Sequence, residues 1–139
     1  MAANDNYIEW IRFAEDDLES AKILANHYKP KIEISCYHSQ QSAEKILKAF
    51  LLFNTIDFAF THDLVKICSD CQKIDTTFSM IFNQCDVLNR YISRSRYPSP
   101  LEITEYDMTQ AIKFADDVLS FVKDKISSSR VSHEKNILE

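Results

Sequence analysis

Apolar residues recur along this chain in steps of three and four, the spacing that lines one face of a helix. Tyr7, Ile11, Ala14, Leu18, Ala21, Ala25 and Tyr28 form the first stripe and predict a helix over residues 7–28. Asn6 can cap its start, with Glu9 at the reciprocal capping position, and Pro30 ends it. A second helix is predicted over 33–53, with Cys36, Ala43, Ile46, Leu47, Phe50 and Phe53 on its buried face. After the loop NTIDFAFTHD, Thr61 suits an N-cap and Phe60 can staple onto Val65, opening a short helix over 63–73 with Leu64, Ile67, Cys68 and Cys71 inward. A fourth helix, 77–93, is read from Phe78, Ile81, Phe82, Cys85, Leu88 and Ile92.

Two prolines in SRSRYPSPLEIT stop that helix and favour extended chain. Thr104 then caps a fifth helix, with Asp107 in the capping-box position and Ile103 facing Met108. Met108, Ala111, Ala115, Val118, Leu119, Val122 and Ile126 carry it to about residue 127. The expectation is an all-α, single-domain bundle of about five helices over residues 1–127, with a frayed polar tail over 128–139.

Composition sharpens this picture at three points. Glycine is absent, which removes the phosphate-binding P-loop and the dinucleotide fingerprint and argues against a turn-rich β fold. Net charge is −5, so the chain as a whole does not attract nucleic acid, and any phosphate-binding surface must be a local basic patch. No apolar run reaches the ~20 residues that span a bilayer, and the N-terminal MAANDNYIEW lacks the layout of a signal peptide, so a cytoplasmic protein without membrane contact is expected.

The candidate chemistry is sparse. Cys68 and Cys71 make the sole CxxC spacing, but both fall on an inward stripe and no second ligand pair accompanies them; core packing accounts for them, and neither a metal nor a cofactor is expected. His38, Gln41, Lys45 and Lys48 recur on the polar side of helix 2, where a solvated face is the simple account and a ligand or subunit contact the sharper one. His62 beside the proposed cap either orders the turn or serves a site. Arg90, Arg94 and Arg96 form the densest basic cluster. The helix dipole accounts for Arg90 and Arg94 near a C-terminus, whereas Arg96 stands past the helix, next to Tyr97-Pro98, on a segment suited to bidentate phosphate or carboxylate contacts.

The sequence resembles a HEPN domain, the higher eukaryote and prokaryote nucleotide-binding family, of the small stand-alone prokaryotic type. The resemblance rests on Trp10 and the run from Ala14 to Leu18 and Ala21, on CYHSQQSAEKILKAFL in helix 2, on THDL from Thr61, and on SRYP from Ser95. It implies an antiparallel, up-and-down bundle, usually a homodimer, with relatives often encoded beside a minimal nucleotidyltransferase, sometimes as a toxin–antitoxin pair. Many such proteins are metal-independent ribonucleases in which a histidine follows an arginine by four to six residues. Here no histidine follows Arg90, Arg94 or Arg96 at that distance.

A non-catalytic module that binds nucleotide or RNA phosphate, or supports a nucleotidyltransferase partner, is therefore the expected function. Its anion-contacting residues are expected to be Arg96, Arg94, Tyr97, Lys45, Lys48, His38, Gln41 and His62. The alternatives are a ribonuclease pairing Arg96 with His38 or His62, and a scaffold that only assembles with proteins. The aromatic residues Phe53, Phe58 and Phe60 around the helix 2–3 loop add a second argument for a dimer.

Overall fold

The computed structural model describes residues 2–58, 60–92 and 102–138, with side chains placed over 6–58, 60–92 and 102–130. Among these residues the chain is an all-α bundle of five α-helices: α1 (Ala2–Asn26), α2 (Ile32–Phe53), α3 (Leu64–Gln72), α4 (Phe82–Leu88) and α5 (Glu105–Leu138). Tight 3-10 segments at Thr76–Ile81 and Asn89–Tyr91 flank α4. No helix is long and apolar enough to cross a membrane among the described residues.

The α1–α2 hairpin is the frame. Its direction follows from its contacts: Tyr7 packs on Phe53, Ala14 meets Ser42, and Ala21 meets Ser35, so the two helices run antiparallel. Small residues make the approach close. Ala14, Ala21, Ser35, Ser42 and Ala43 have no solvent exposure. The hydroxyls of Ser35 and Ser42 cross the seam and donate to the carbonyls of Ala21 and Ala14, each at 2.8 Å. Buried hydroxyls are thereby satisfied by helix carbonyls that have a spare lone pair. At the hairpin tip Lys29 takes a left-handed φ of 53°, and the Lys31 amide donates back to the Leu24 carbonyl.

α2 packs against α1, α3, α4 and α5, which leaves it almost no free face. Phe50 meets Phe78, and Phe78 meets Phe121 edge-on at 5.1 Å, tying α2 to α5 through the 3-10 segment before α4. α5 runs opposite to the segment holding α4, as Lys125 pairs with Asp75 while Gln84 lies by Asp117. Cys68 and Cys71 sit fully buried on α3 and donate to the carbonyls of Phe78 and Leu47. Burial pushes the Cys71 thiol up, and that of Cys36 up to about 12, so both stay protonated at neutral pH.

Several sequence expectations need correction. α1 begins at Ala2, not after a cap at Asn6, and ends at Asn26 because the turn before Pro30 needs non-helical geometry. The cap of α3 is Asp63, whose carboxylate accepts from the amides of Val65 and Lys66. Thr61 instead accepts from the Asp63 amide, and Phe60 is fully exposed, so no staple forms. The fourth helix is one short α-helix between two 3-10 segments, opened by Asp75 accepting from the Thr77 amide. α5 continues through the expected tail to Leu138, since neither glycine nor proline follows Pro100 to stop it. Its start is as expected: Thr104 and Asp107 form a reciprocal capping box.

The small-residue seam predicts sensitivity to volume. Ala14→Leu should lower stability by about 1–3 kcal/mol through overpacking, read as a lower urea midpoint with an unchanged slope. A midpoint equal to wild type would show that the seam has slack.

Candidate functional site

The site begins with a carboxylate in an unusual place. Glu44 lies in the middle of α2, and its side chain is 4% exposed. Burying a charge without compensation costs several kcal/mol, and the surroundings are arranged to meet that cost. Lys48, one turn on and 6% exposed, donates from Nζ to Glu44 Oε2 at 2.7 Å. The lysine ammonium in turn lies 4.9 Å from the Phe58 ring centre and 5.9 Å from that of Trp10, where aromatic faces attract a cation. Those two rings pack edge-on against each other at 5.2 Å.

His62 completes the group. Its Nδ1 lies 3.0 Å from both carboxylate oxygens of Glu44. A carboxylate only accepts, so Nδ1 carries the hydrogen and Nε2 is the nitrogen left to gain or lose a proton. The imidazole is 67% exposed although its anchor is buried. Gln40 reinforces the arrangement, donating to Glu44 Oε1 at 3.3 Å and to the His62 carbonyl at 3.2 Å. Gln41 donates to Gln40 Oε1 at 2.8 Å and approaches Glu44 Oε1 at 3.5 Å. Burial alone raises the Glu44 carboxyl, but the hydrogen bonds and charges of Lys48 and His62 outweigh it and hold the group below its ordinary value.

A second group of the same kind lies between α1 and α2. Asp17, whose side chain is 12% exposed, takes His38 Nδ1 on one oxygen at 2.8 Å and Lys45 Nζ on the other at 2.5 Å. The same argument places the hydrogen of His38 on Nδ1. Each group is thus a carboxylate that holds one histidine and one lysine.

The loop bearing His62 is also tied from the other side. Asn89, 25 residues beyond Leu64, accepts from the Leu64 amide at 2.9 Å and donates to Asp63 Oδ1 at 2.9 Å. The 3-10 segment Asn89–Tyr91, which leads into the arginine-rich stretch, is therefore clamped to the His62 loop.

Of the residues singled out in the sequence, His38, Gln41, Lys45, Lys48 and His62 come together in these two groups. The solvated-face reading of helix 2 is overturned: Lys48 is buried, and His38, Gln41 and Lys45 are half-buried. Arg94, Arg96 and Tyr97 lie outside the described residues. Glu44, Asp17, Gln40 and Asn89 went unnoticed in the sequence. The Glu44–Lys48 spacing was visible, but such i,i+4 pairs ordinarily mark exposed helix surface. Among the described residues, no group of three or more histidine, cysteine, aspartate or glutamate side chains is placed to hold a metal ion.

A family model described as HEPN domain matches residues 7–125, and the chain belongs to the HEPN family. It is 31% identical over 132 residues to the protein named "Putative toxin MJ1304" of Methanocaldococcus jannaschii, covering 83% of this chain and 84% of that one. The crystal structure of ST0689, an archaeal HEPN homologue, superposes with a TM-score of 0.70 at 28% identity, over 86% of this chain and 97% of that one. TT1696 from Thermus thermophilus shares the fold with a TM-score of 0.75 at 23% identity, over 87% and 98% of the two chains.

The buried pair makes two predictions. Glu44→Gln leaves the Lys48 ammonium uncompensated and should cost about 3–5 kcal/mol. Glu44→Gln with Lys48→Met should recover much of that loss, which denaturant melts of the two singles and the double would measure. The pH dependence has a definite sign. A carboxyl held below its ordinary value of 4.5 contributes stability above about pH 4.5 and loses it as pH falls through the folded value. The stability gap between wild type and Glu44→Gln should therefore shrink from pH 7 toward pH 3; a constant gap would contradict the pairing.

Proposed function

We propose that this chain is a non-catalytic HEPN module that binds the phosphate of a nucleotide or RNA. In this reading it works in the cytoplasm as a homodimer and supports a minimal nucleotidyltransferase in a toxin–antitoxin-like pair. The observation that carries it is the clamp of Asn89 on the His62 loop. It sets an exposed, carboxylate-oriented imidazole beside the start of the chain segment that carries Arg94, Arg96 and Tyr97. Arg94 follows Ile92 by two residues, about 7 Å of chain at most. Guanidinium forks and an imidazole are groups suited to a phosphate, with charge-assisted bonds supplying most of the affinity. The toxin name of the archaeal relative supports the paired system.

One observation favours a second reading. A histidine whose Nδ1 hydrogen is held by a buried carboxylate is oriented as a general acid or base. The alternative is a metal-independent ribonuclease in which His62 moves the proton and Arg96 stabilises the charged phosphorane-like state.

Titration of nucleotides and short RNA into wild type, Arg96→Ala, Arg96→Lys and His62→Ala, with thermal melts alongside, tests both. Arg96→Ala should weaken binding about ten- to a hundredfold, more than Arg96→Lys, with little change in melting temperature. Unchanged affinity with a collapsed melt would make Arg96 a structural residue and sink the binding role. RNA cleaved by wild type in excess EDTA, and left intact by His62→Ala, would replace the first reading by the second. Light scattering should give twice the 16.2 kDa chain mass.

A further inference from the structure

The four cysteines are all free and buried, and the carboxylate–histidine–lysine groups use none of them. Cys36 lies beside Tyr91, whereas Cys68, Cys71 and Cys85 gather where α3 meets α4. The register of α3 and α4 brings one pair together. The Leu64 amide meets Asn89 Oδ1 at 2.9 Å, and from that point the two elements pass in opposite directions. Cys68 stands one turn along α3 from Leu64, and Cys85 one turn back along α4 from Asn89, so their side chains face each other. Cys85 donates its hydrogen to the Cys68 sulfur, and Cys68 donates to the Phe78 carbonyl at 3.7 Å. Cys71 is turned away, onto the Leu47 carbonyl of α2 at 3.6 Å.

We propose that Cys68 and Cys85 are a reversible oxidation site, which hydrogen peroxide converts to an intramolecular disulfide that locks α3 to α4 beside the Asn89 clamp. This does not rest on the phosphate-binding reading. The hydrogen bond gives the two sulfurs different roles. The hydrogen from Cys85 favours the Cys68 thiolate and holds that thiol below its ordinary value, while the same bond and burial push Cys85 up. Cys68 is therefore the attacking sulfur. It bonds to one peroxide oxygen as the O–O bond breaks, giving a sulfenic acid, and the departing hydroxide takes the Cys68 proton as water. The Cys85 sulfur then attacks the Cys68 sulfur, and its proton leaves with the hydroxyl as a second water. Two thiols lose two electrons, and one peroxide becomes two waters. Access comes through the thin cover of the pair. Phe78 belongs to a six-residue 3-10 segment and Cys85 to a seven-residue helix, and turns this short have little stability of their own. Met80 and Phe82 on that cover are 71% and 40% exposed, so it buries little and opens ahead of the long helices.

The test treats the reduced full chain with hydrogen peroxide at a temperature where melts show it folded, then alkylates the remaining thiols and maps tryptic peptides. Cleavage after Lys66, Lys73 and Arg90 places Cys68 with Cys71 in residues 67–73 and Cys85 alone in 74–90. Two of the four thiols should be lost to alkylation. The expected product joins those two peptides, carries an alkylated Cys71, and is reversed by dithiothreitol. Cys71→Ala should form the same bridge, which separates it from a bond within the CxxC. Hydrogen exchange at the Leu64 amide should slow in the bridged chain, because the bridge holds Asn89 against it. A bond between Cys68 and Cys71, a bond between two chains, or four thiols still alkylated after peroxide each overturns the inference. A bridge that forms only in urea overturns it too, since the folded chain then never presents the pair. Leu64 exchange unchanged by the bridge overturns the lock.

Discussion

The arrangement of this bundle turns on one buried carboxylate. Glu44 sits where a central helix would ordinarily present an apolar side chain, and its charge has to be met on every side. Lys48 meets it from the same helix, Gln40 and Gln41 from the preceding turn, and His62 from a loop eighteen residues away in sequence. The last partner matters most for architecture. A loop that leaves the far end of α2 is brought back along the helix to its middle, and α3 starts from there. Trp10 and Phe58 then close over the lysine, which ties α1 into the same network.

Absence of glycine adds a second constraint. Tight reversals usually place glycine where φ is positive, and here Lys29 and Thr55 occupy those positions with φ of 53° and 58°. Such residues cost on the order of 1–3 kcal/mol each and persist only where surrounding contacts over-determine them. Both turns have those contacts: the Lys31 amide returns to α1, and the amides of Thr55 and Ile56 return to the last turn of α2. The connections are therefore fixed by hydrogen bonds to helix ends, and the long 54–63 loop is fixed by side chains of α2.

These constraints explain what could be read from the chain and what could not. Helical period is local, so the stripes of α1, α2 and α5 and the Thr104–Asp107 cap were legible in the sequence. Thr61 and Asp63 are both good caps by type. The choice between them is made by Asn89, whose amide fastens Asp63, and no local rule sees a residue that distant. The polar stripe of α2 failed for the same reason. Periodicity identifies the faces of a helix, but whether a face meets water depends on what the fold lays over it. The buried carboxylates Asp17 and Glu44 stood in ordinary charged runs, EDD and AEK, that carry no sign of burial.

The two carboxylate–histidine–lysine groups bear on function in different ways. Each lysine neutralises the carboxylate it touches, so neither group is a strong positive patch. The binding role proposed above therefore depends on the arginine cluster in a chain of net charge −5. The carboxylates contribute direction instead. By fixing the hydrogen on Nδ1 they leave Nε2 as the reactive nitrogen of each imidazole, at 67% and 29% side-chain exposure for His62 and His38. Phosphodiester cleavage without metal needs a base, an acid and a charge stabiliser acting on one phosphate. Here each histidine answers to its own carboxylate and its own lysine, and no hydrogen bond joins the two groups into a single relay among the described residues. Among the described residues the two oriented imidazoles are thus separate groups, each held by its own buried carboxylate.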